Sequence, residues 1–138
     1  MPKKPSRKKL SRQELKDLDI EIGFLEGVTK RDPSYVDALQ ILGDDYTKRG
    51  RFTDGLQIDE RLSTLRPSDP LVFYNLACSY SLMGKLEEGV SALERALLLG
   101  YRDFKWMIED PDLENLRKSP FYTRVRARVR SLRVKIAE

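Results

Sequence analysis

Slide the sequence past itself by 34 residues and its punctuation falls into register. Pro33 lands on Pro67, Leu42 on Leu76, Tyr46 on Tyr80, Gly50 on Gly84, Gly55 on Gly89 and Leu65 on Leu99. Similar residues accompany them: Leu39 with Phe73, Phe52 with Leu86, Leu56 with Val90. One step backward, Leu62 and Leu56 fall on Val28 and Ile22. Chance matches a few apolar positions, but not proline, glycine and tyrosine together with the apolar frame. A period of this length marks a supersecondary unit that cannot bury its own apolar face and must stack on copies of itself.

Within the unit the apolar spacing is helical. Ser11 and Glu14 form a capping-box signature ahead of the stripe Leu15, Leu18, Ile22, Leu25 and Val28. That helix should end near Arg31, because proline disfavours helix in the residue before it and Asp32-Pro33 follows. Pro33 is expected at the start of the next helix, whose stripe is Val36, Leu39, Leu42 and Tyr46 and whose stop is Gly50. A partner helix is expected over about Phe52–Leu65, and Arg66 to Pro70 reads as a helix stop followed by a helix start. Leu71–Met83 then carries no charge, in a chain that is 35% charged. A surface helix shows a polar face, so this one should be covered on most sides. At 13 residues it falls short of the roughly 20 needed to cross a bilayer. Gly84 ends it, Leu86–Leu99 pairs with it, and Gly100 is a C-cap.

These residues resemble the tetratricopeptide repeat, whose 34-residue helix–turn–helix pattern is W-x2-L-G-x2-Y, then A-x3-F, then P. Leu39, Leu42-Gly43, Tyr46 and Pro67 match one copy, and Phe73, Leu76-Ala77 and Tyr80 the next. Gly55 and Gly89 stand where the family has a small alanine, and a small residue lets the two helices of a unit approach closely. Asp59 departs from the pattern in the second aromatic position, and Gly100-Tyr101 departs where proline should close the second copy. The resemblance covers about residues 13–100. It implies an all-α fold, an α-α superhelix built as a right-handed stack of antiparallel helix pairs. A half repeat over 13–32 would precede repeats at about 33–66 and 67–100.

After Gly100 the period fails. Tyr101–Asp110 holds enough apolar residues for one short helix, Asp110-Pro111 looks like the start of another, and Ser119-Pro120 the start of a final helix to about Ile136. The run from Asp110 to Phe121 resembles the closing segment after the last repeat of many bacterial tetratricopeptide proteins. A stack has open ends that need capping. Residues 101–138 therefore read as capping helices, with Phe104, Trp106, Met107, Leu113, Leu116 and Phe121 as the cap's core. An aromatic ligand box is the lesser reading, since such clusters are more often core.

Charge is segregated beneath the net of +4. Residues 1–12 hold six Lys/Arg and no acid, residues 117–138 hold eight against Glu138 alone, and the stretch between keeps 12 bases against 21 acids, a net of −9. The basic start reads as a disordered tail without the apolar run of a secretory signal. A solvated surface is the plain reading of the basic ends. Nucleic acid is not the expected partner, because basic patches without aromatic platforms give salt-sensitive, unspecific binding. Nothing in the chain is long enough for a membrane span. The last helix carries Val125, Val129, Leu132 and Ile136 as a narrow stripe, which suits packing or self-association with a second copy.

Catalysis has little to work with. There is no histidine, one cysteine (Cys78), and no clustered glycine loop for phosphates. We expect no enzyme, no cofactor and no metal site. The lone cysteine fits a reducing compartment, and a cytoplasmic location is expected. The resemblance implies instead a non-catalytic interaction scaffold or adaptor, binding a peptide or partner helix in a concave groove lined by the first helix of each pair. Helical spacing then names the groove: Asp37, Gln40, Asp44 and Lys48 on one unit, Leu71, Tyr74, Cys78 and Leu82 on the next. The acids favour a basic ligand group and the second set an apolar one, so the expected partner is a protein or peptide segment with a basic residue beside an apolar one. Burial of this face by the C-terminal segment is the alternative. A carboxylate clamp, as in the chaperone-tail binders of the family, is not expected. Asn75 matches one clamp position, but Gln40 and Asp44 replace the lysine and the other asparagine, and Asp44 repels a carboxylate. The alternative function is an accessory protein binding nucleic acid or anionic surfaces through the basic ends.

Overall fold

A computed structural model describes residues 9–137, with side chains through Lys135. The described chain is all helical. α1 (Arg12–Arg31) is followed by the antiparallel pair α2 (Val36–Arg49) and α3 (Phe52–Leu65), then the pair α4 (Pro70–Leu82) and α5 (Leu86–Leu99). A capping segment closes the stack: α6 (Phe104–Glu109), a 3₁₀ turn at Pro111–Leu113, α7 (Glu114–Arg117), a second turn at Pro120–Tyr122, and α8 (Thr123–Ala137). Each helix packs on the next through α5, and α8 returns to lie on α5. The fold class expected from the period is thus observed, a stack of antiparallel helix pairs with capping helices.

Local chemistry sets the boundaries. The capping box forms: the Glu14 N–H donates to Ser11 Oγ at 3.1 Å, and the Ser11 N–H to Glu14 Oε1 at 3.2 Å. Gly50, Gly84 and Gly100 all sit at positive φ, the conformation that ends a helix and that residues with a Cβ avoid. One boundary departs from expectation. Pro33 lies in a turn, and α2 starts three residues later at Val36. The Tyr35 N–H closes back on the Asp32 carbonyl at 3.2 Å, and the equivalent turn in the next unit joins Asp69 to Arg66 at the same distance. There the helix starts at Pro70, with Asp69 accepting from the Leu71 N–H at 2.9 Å. The final helix likewise begins as a 3₁₀ turn before Thr123. The disorder expected of residues 1–12 falls mostly outside the described residues, and Arg12 itself opens α1.

Two apolar clusters hold the stack. One joins α1, α2 and α3 around Ile22, Leu39, Leu42 and Leu62, with Val72 from α4. The larger centres on α4 and α5 and extends through the cap to Met107, Leu113, Leu116, Tyr122 and Val125. The uncharged segment is walled in as expected, with Leu71 and Asn75 as its exposed residues. The cap's composition needs correction. Met107, Leu113 and Leu116 are buried and Phe104 half-buried, but Trp106 and Phe121 face solvent, and Tyr101, Tyr122 and Val125 take the interior places instead. The α8 stripe is used internally: Val125 is fully buried, and Val129 and Leu132 pack half-buried on the same cluster. Val129 and Leu132 keep part of their surface, and the side chain of Ile136 lies outside the described residues.

Gly43 and Gly55 show the close approach within a pair. A Cβ on Gly43 would stand 3.2 Å from Ile58 Cγ2, and one on Gly55 3.1 Å from Thr47 Oγ1. At Gly89 the tightest neighbour is the cap: a Cβ there would lie 2.8 Å from Leu116 Cδ2 and 3.3 Å from Tyr80 Cβ.

Candidate binding cleft

The predicted groove residues separate into two groups. Asp37, Gln40, Asp44 and Lys48 share the exposed face of α2. On α4, Leu71 is 59% exposed and Leu82 half-buried, but Tyr74 and Cys78 are only 5% and 8% exposed. The cap covers most of those two, which keep only a small surface at the bottom of the cleft described below. Their expected exposure requires α4 to face an open groove, and the chain's own C-terminal segment fills that space.

Asp110 makes the closure. Its Oδ2 accepts from the Tyr74 hydroxyl at 2.7 Å and from the Cys78 thiol at 3.7 Å, while its Oδ1 accepts from the Asp112 N–H at 2.9 Å. The Tyr74 ring stacks on Tyr101, centroids 4.3 Å apart and planes 11° off parallel. The Asn115 side chain donates to the Ser81 carbonyl at 3.0 Å, tying α7 to α4. Asp-Pro in sequence signals a helix start, and Asp110 fills that role. Its tertiary role as the acceptor for two α4 side chains has no sequence signal.

Between α2, α4 and the cap remains a cleft of about 280 Å³. Asp44, Thr47 and Lys48 line one wall, Asn75 and Ser79 another, and Trp106 with Asp112 the cap side. Trp106 is 40% exposed at this rim. Sequence reasoning assigns it to the cap interior, yet it belongs to the site. So does Asn75, beside Asp44, which supplies the carboxylate that argues against a clamp.

The electrostatics are acidic. Among the described residues four carboxyls, Asp44, Asp59, Asp110 and Asp112, line the cleft against one ammonium, Lys48. Partial enclosure raises the Asp44 carboxyl above its ordinary range, and Lys48 pulls it back. Asp59, the residue that departs from the repeat pattern, is buried and hydrogen-bonded by the Ser79 hydroxyl of the next pair. Burial pushes its pKa up to about 7; the Ser79 bond opposes this and Asp44 adds to it. Burial likewise raises the Cys78 thiol well above its usual range, with Asp110 adding to the effect, so this sulfur is kept from the reactive thiolate form. Among the described residues no three histidine, cysteine or acidic side chains gather closely enough to hold a metal ion.

Among the described residues no helix is long and apolar enough to cross a membrane. No family model matches the chain. Over 80 residues it is 41% identical to a protein of Arabidopsis thaliana described by its name as chloroplastic. The match takes in 56% of this chain but only 24% of that protein, so the likeness covers about a quarter of the relative's length.

Proposed function

We propose that this chain is a tetratricopeptide-like interaction module, and that the cleft between α2 and the cap receives a cationic peptide segment from a partner protein. The supporting observation is the acid-lined cleft with an exposed tryptophan at its rim. A lysine or arginine of the ligand would sit against Asp44 and Asp112, and an adjacent apolar or aromatic side chain against Trp106. Charge pairing at such a site favours the right partner and speeds its arrival more than it adds affinity. The apolar share of recognition moves from Tyr74 and Cys78 to Trp106, with Leu71 open on the same helix as Asn75. Binding without catalysis fits a site whose sulfur is buried and whose chain lacks histidine. A lone, buried thiol fits a reducing compartment, either the cytoplasm or the chloroplast of the relative's name.

A displayed library of short random peptides, selected on the native protein, tests this. Enriched sequences should pair Lys or Arg with an aromatic or branched residue, and Asp44→Lys or Trp106→Ala should each abolish the enrichment. Enrichment of acidic peptides, or none affected by either substitution, would overturn it. For the alternative of nucleic acid or an anionic surface at the basic ends, Arg124 and Arg128 are already paired with Glu94, and residues 1–8 lie outside the described residues and bear on neither reading.

A further inference from the structure

A second cleft lies on the opposite side of the cap, between α6 and α8, with a volume of about 590 Å³. That is within the range of small-molecule sites. Its floor is apolar. Met107 and Val125 are fully buried there, Phe104 and Val129 half-buried, and Ile108 and Val134 stand exposed at the edge. Among the described residues, every charged side chain lining it is an arginine: Arg117, Arg126, Arg130 and Arg133.

The arginines are held around the opening, and no described acid neutralises them. Arg117 is half-buried and donates to the Met107 carbonyl at 2.8 Å. Arg126 lies over the Tyr122 ring at 5.0 Å, and Arg133 over the Phe104 ring at 5.4 Å. Arg130 reaches no partner among the described residues, and none of the four forms an ion pair there. The neighbouring arginines on the same helix, Arg124 and Arg128, are both paired with Glu94 on α5. Along α8 Arg124 and Arg128 thus face α5, while Arg126, Arg130 and Arg133 line the cleft. An arginine fork matches carboxylate and phosphate oxygens, and its planar face rests on aromatic rings without losing its donors.

We propose that this cleft binds an anionic amphiphile, an alkyl chain ending in a carboxylate or phosphate, taken up as a single molecule. The chain would lie on Phe104, Ile108, Val129 and Val134, above the buried Met107 and Val125, and the head group would be gripped by Arg117 and Arg130. An apolar floor distinguishes this ligand from a nucleic acid, which would bring charge and no alkyl surface. The site is separate from the acidic cleft: it shares no lining residue with it.

Calorimetry with dodecyl phosphate below its micelle concentration, on the whole chain, tests the proposal. One molecule should bind per protein. Butyl phosphate should bind at least about a hundredfold more weakly, since each buried methylene contributes roughly 0.8 kcal/mol. Arg130→Gln, at a side chain with no hydrogen bond or ion pair among the described residues, should weaken dodecyl phosphate about tenfold, and Asp44→Lys should leave it unchanged. Equal binding of the butyl and dodecyl compounds would reduce the site to an unspecific anion surface and overturn the proposal. So would an unaltered affinity in Arg130→Gln. Binding to phosphatidylglycerol vesicles with none to monomers would assign the arginines to a membrane surface, and an acidic helical peptide that binds tighter than dodecyl phosphate and displaces it would assign the cleft to a protein. Should Arg130→Gln fail to fold, the chain-length comparison on the native protein decides alone.

Discussion

Replacing glycine by alanine at two helical positions should move stability in opposite directions, and the sign reads out how tightly the cap is seated. Gly23 lies inside α1, and a Cβ there meets nothing within 4 Å. Gly23→Ala should therefore express only the helix propensity difference, a stabilisation of about 1 kcal/mol. Gly89 lies in the first turn of α5, where the same methyl would fall 2.8 and 3.2 Å from the two terminal carbons of Leu116 and 3.3 Å from Tyr80 Cβ. Leu116 is fully buried, so it has little room to retreat. Overpacking of this kind costs about 1–3 kcal/mol, enough to cancel the propensity gain and leave Gly89→Ala neutral to destabilising by about 2 kcal/mol. Leu116→Ala alone should cost about 2–5 kcal/mol through lost burial and the cavity left behind. Combined with Gly89→Ala it should cost less than the sum, by about 1 kcal/mol or more, because the new methyl occupies vacated space. Urea unfolding followed by circular dichroism gives all four stabilities. A Gly89→Ala protein as stabilised as Gly23→Ala, or a double mutant that is simply additive, would refute the close seating of the cap on α5.

Three further outcomes are expected. The folded pKa of Asp59, about 7, lies above its unfolded value near 3.8, so its contribution to stability is complete below about pH 4 and is lost as pH rises through 7. Through Asp59 the stability measured by urea unfolding from pH 4 to 8 should fall by up to about 4 kcal/mol, and Asp59→Asn should reduce the slope, leaving the share of Asp45, whose carboxyl burial also raises to about 7; an unchanged slope would remove Asp59 from the account. Tyr74→Phe takes one hydrogen bond from buried Asp110 and should destabilise by about 1–3 kcal/mol, read as a thermal midpoint lowered by several degrees. Ser11→Ala removes the α1 capping box and should cost about 1 kcal/mol, with earlier loss of amide protection in the first turn of α1.

The helical frame was legible because each of its signals is local. Phe52–Leu65 and Leu86–Leu99 fall where the punctuation and apolar spacing place them, since the Arg66-Pro67 stop, the left-handed Gly100 C-cap and a helical stripe are each written within a few residues. The prolines were less direct. Pro33 and Pro67 mark turns, whereas Pro70, with Asp69 capping before it, opens α4, and Pro111 and Pro120 open 3₁₀ turns. The groove was half legible. Its α2 face, Asp37 through Lys48, is exposed as spacing requires. Tyr74 and Cys78 obey the same spacing and are nevertheless interior, because helical periodicity states which face a side chain occupies and not what is laid over that face.

What the chain's order of residues determined is the repeat, its period, its helices and the need for something to close the open end. Tertiary structure alone decided which residues the closure covers. Asp110 reaches Tyr74 across 36 positions of sequence, Asp59 is matched to Ser79 across 20, and Trp106 is turned out while Tyr101 is turned in. These choices arise from packing one irregular segment against a regular stack, where a small shift exchanges a buried partner for an exposed one. No pattern along the chain encodes such a choice, since contacts of this kind depend on shape in three dimensions and not on spacing in one.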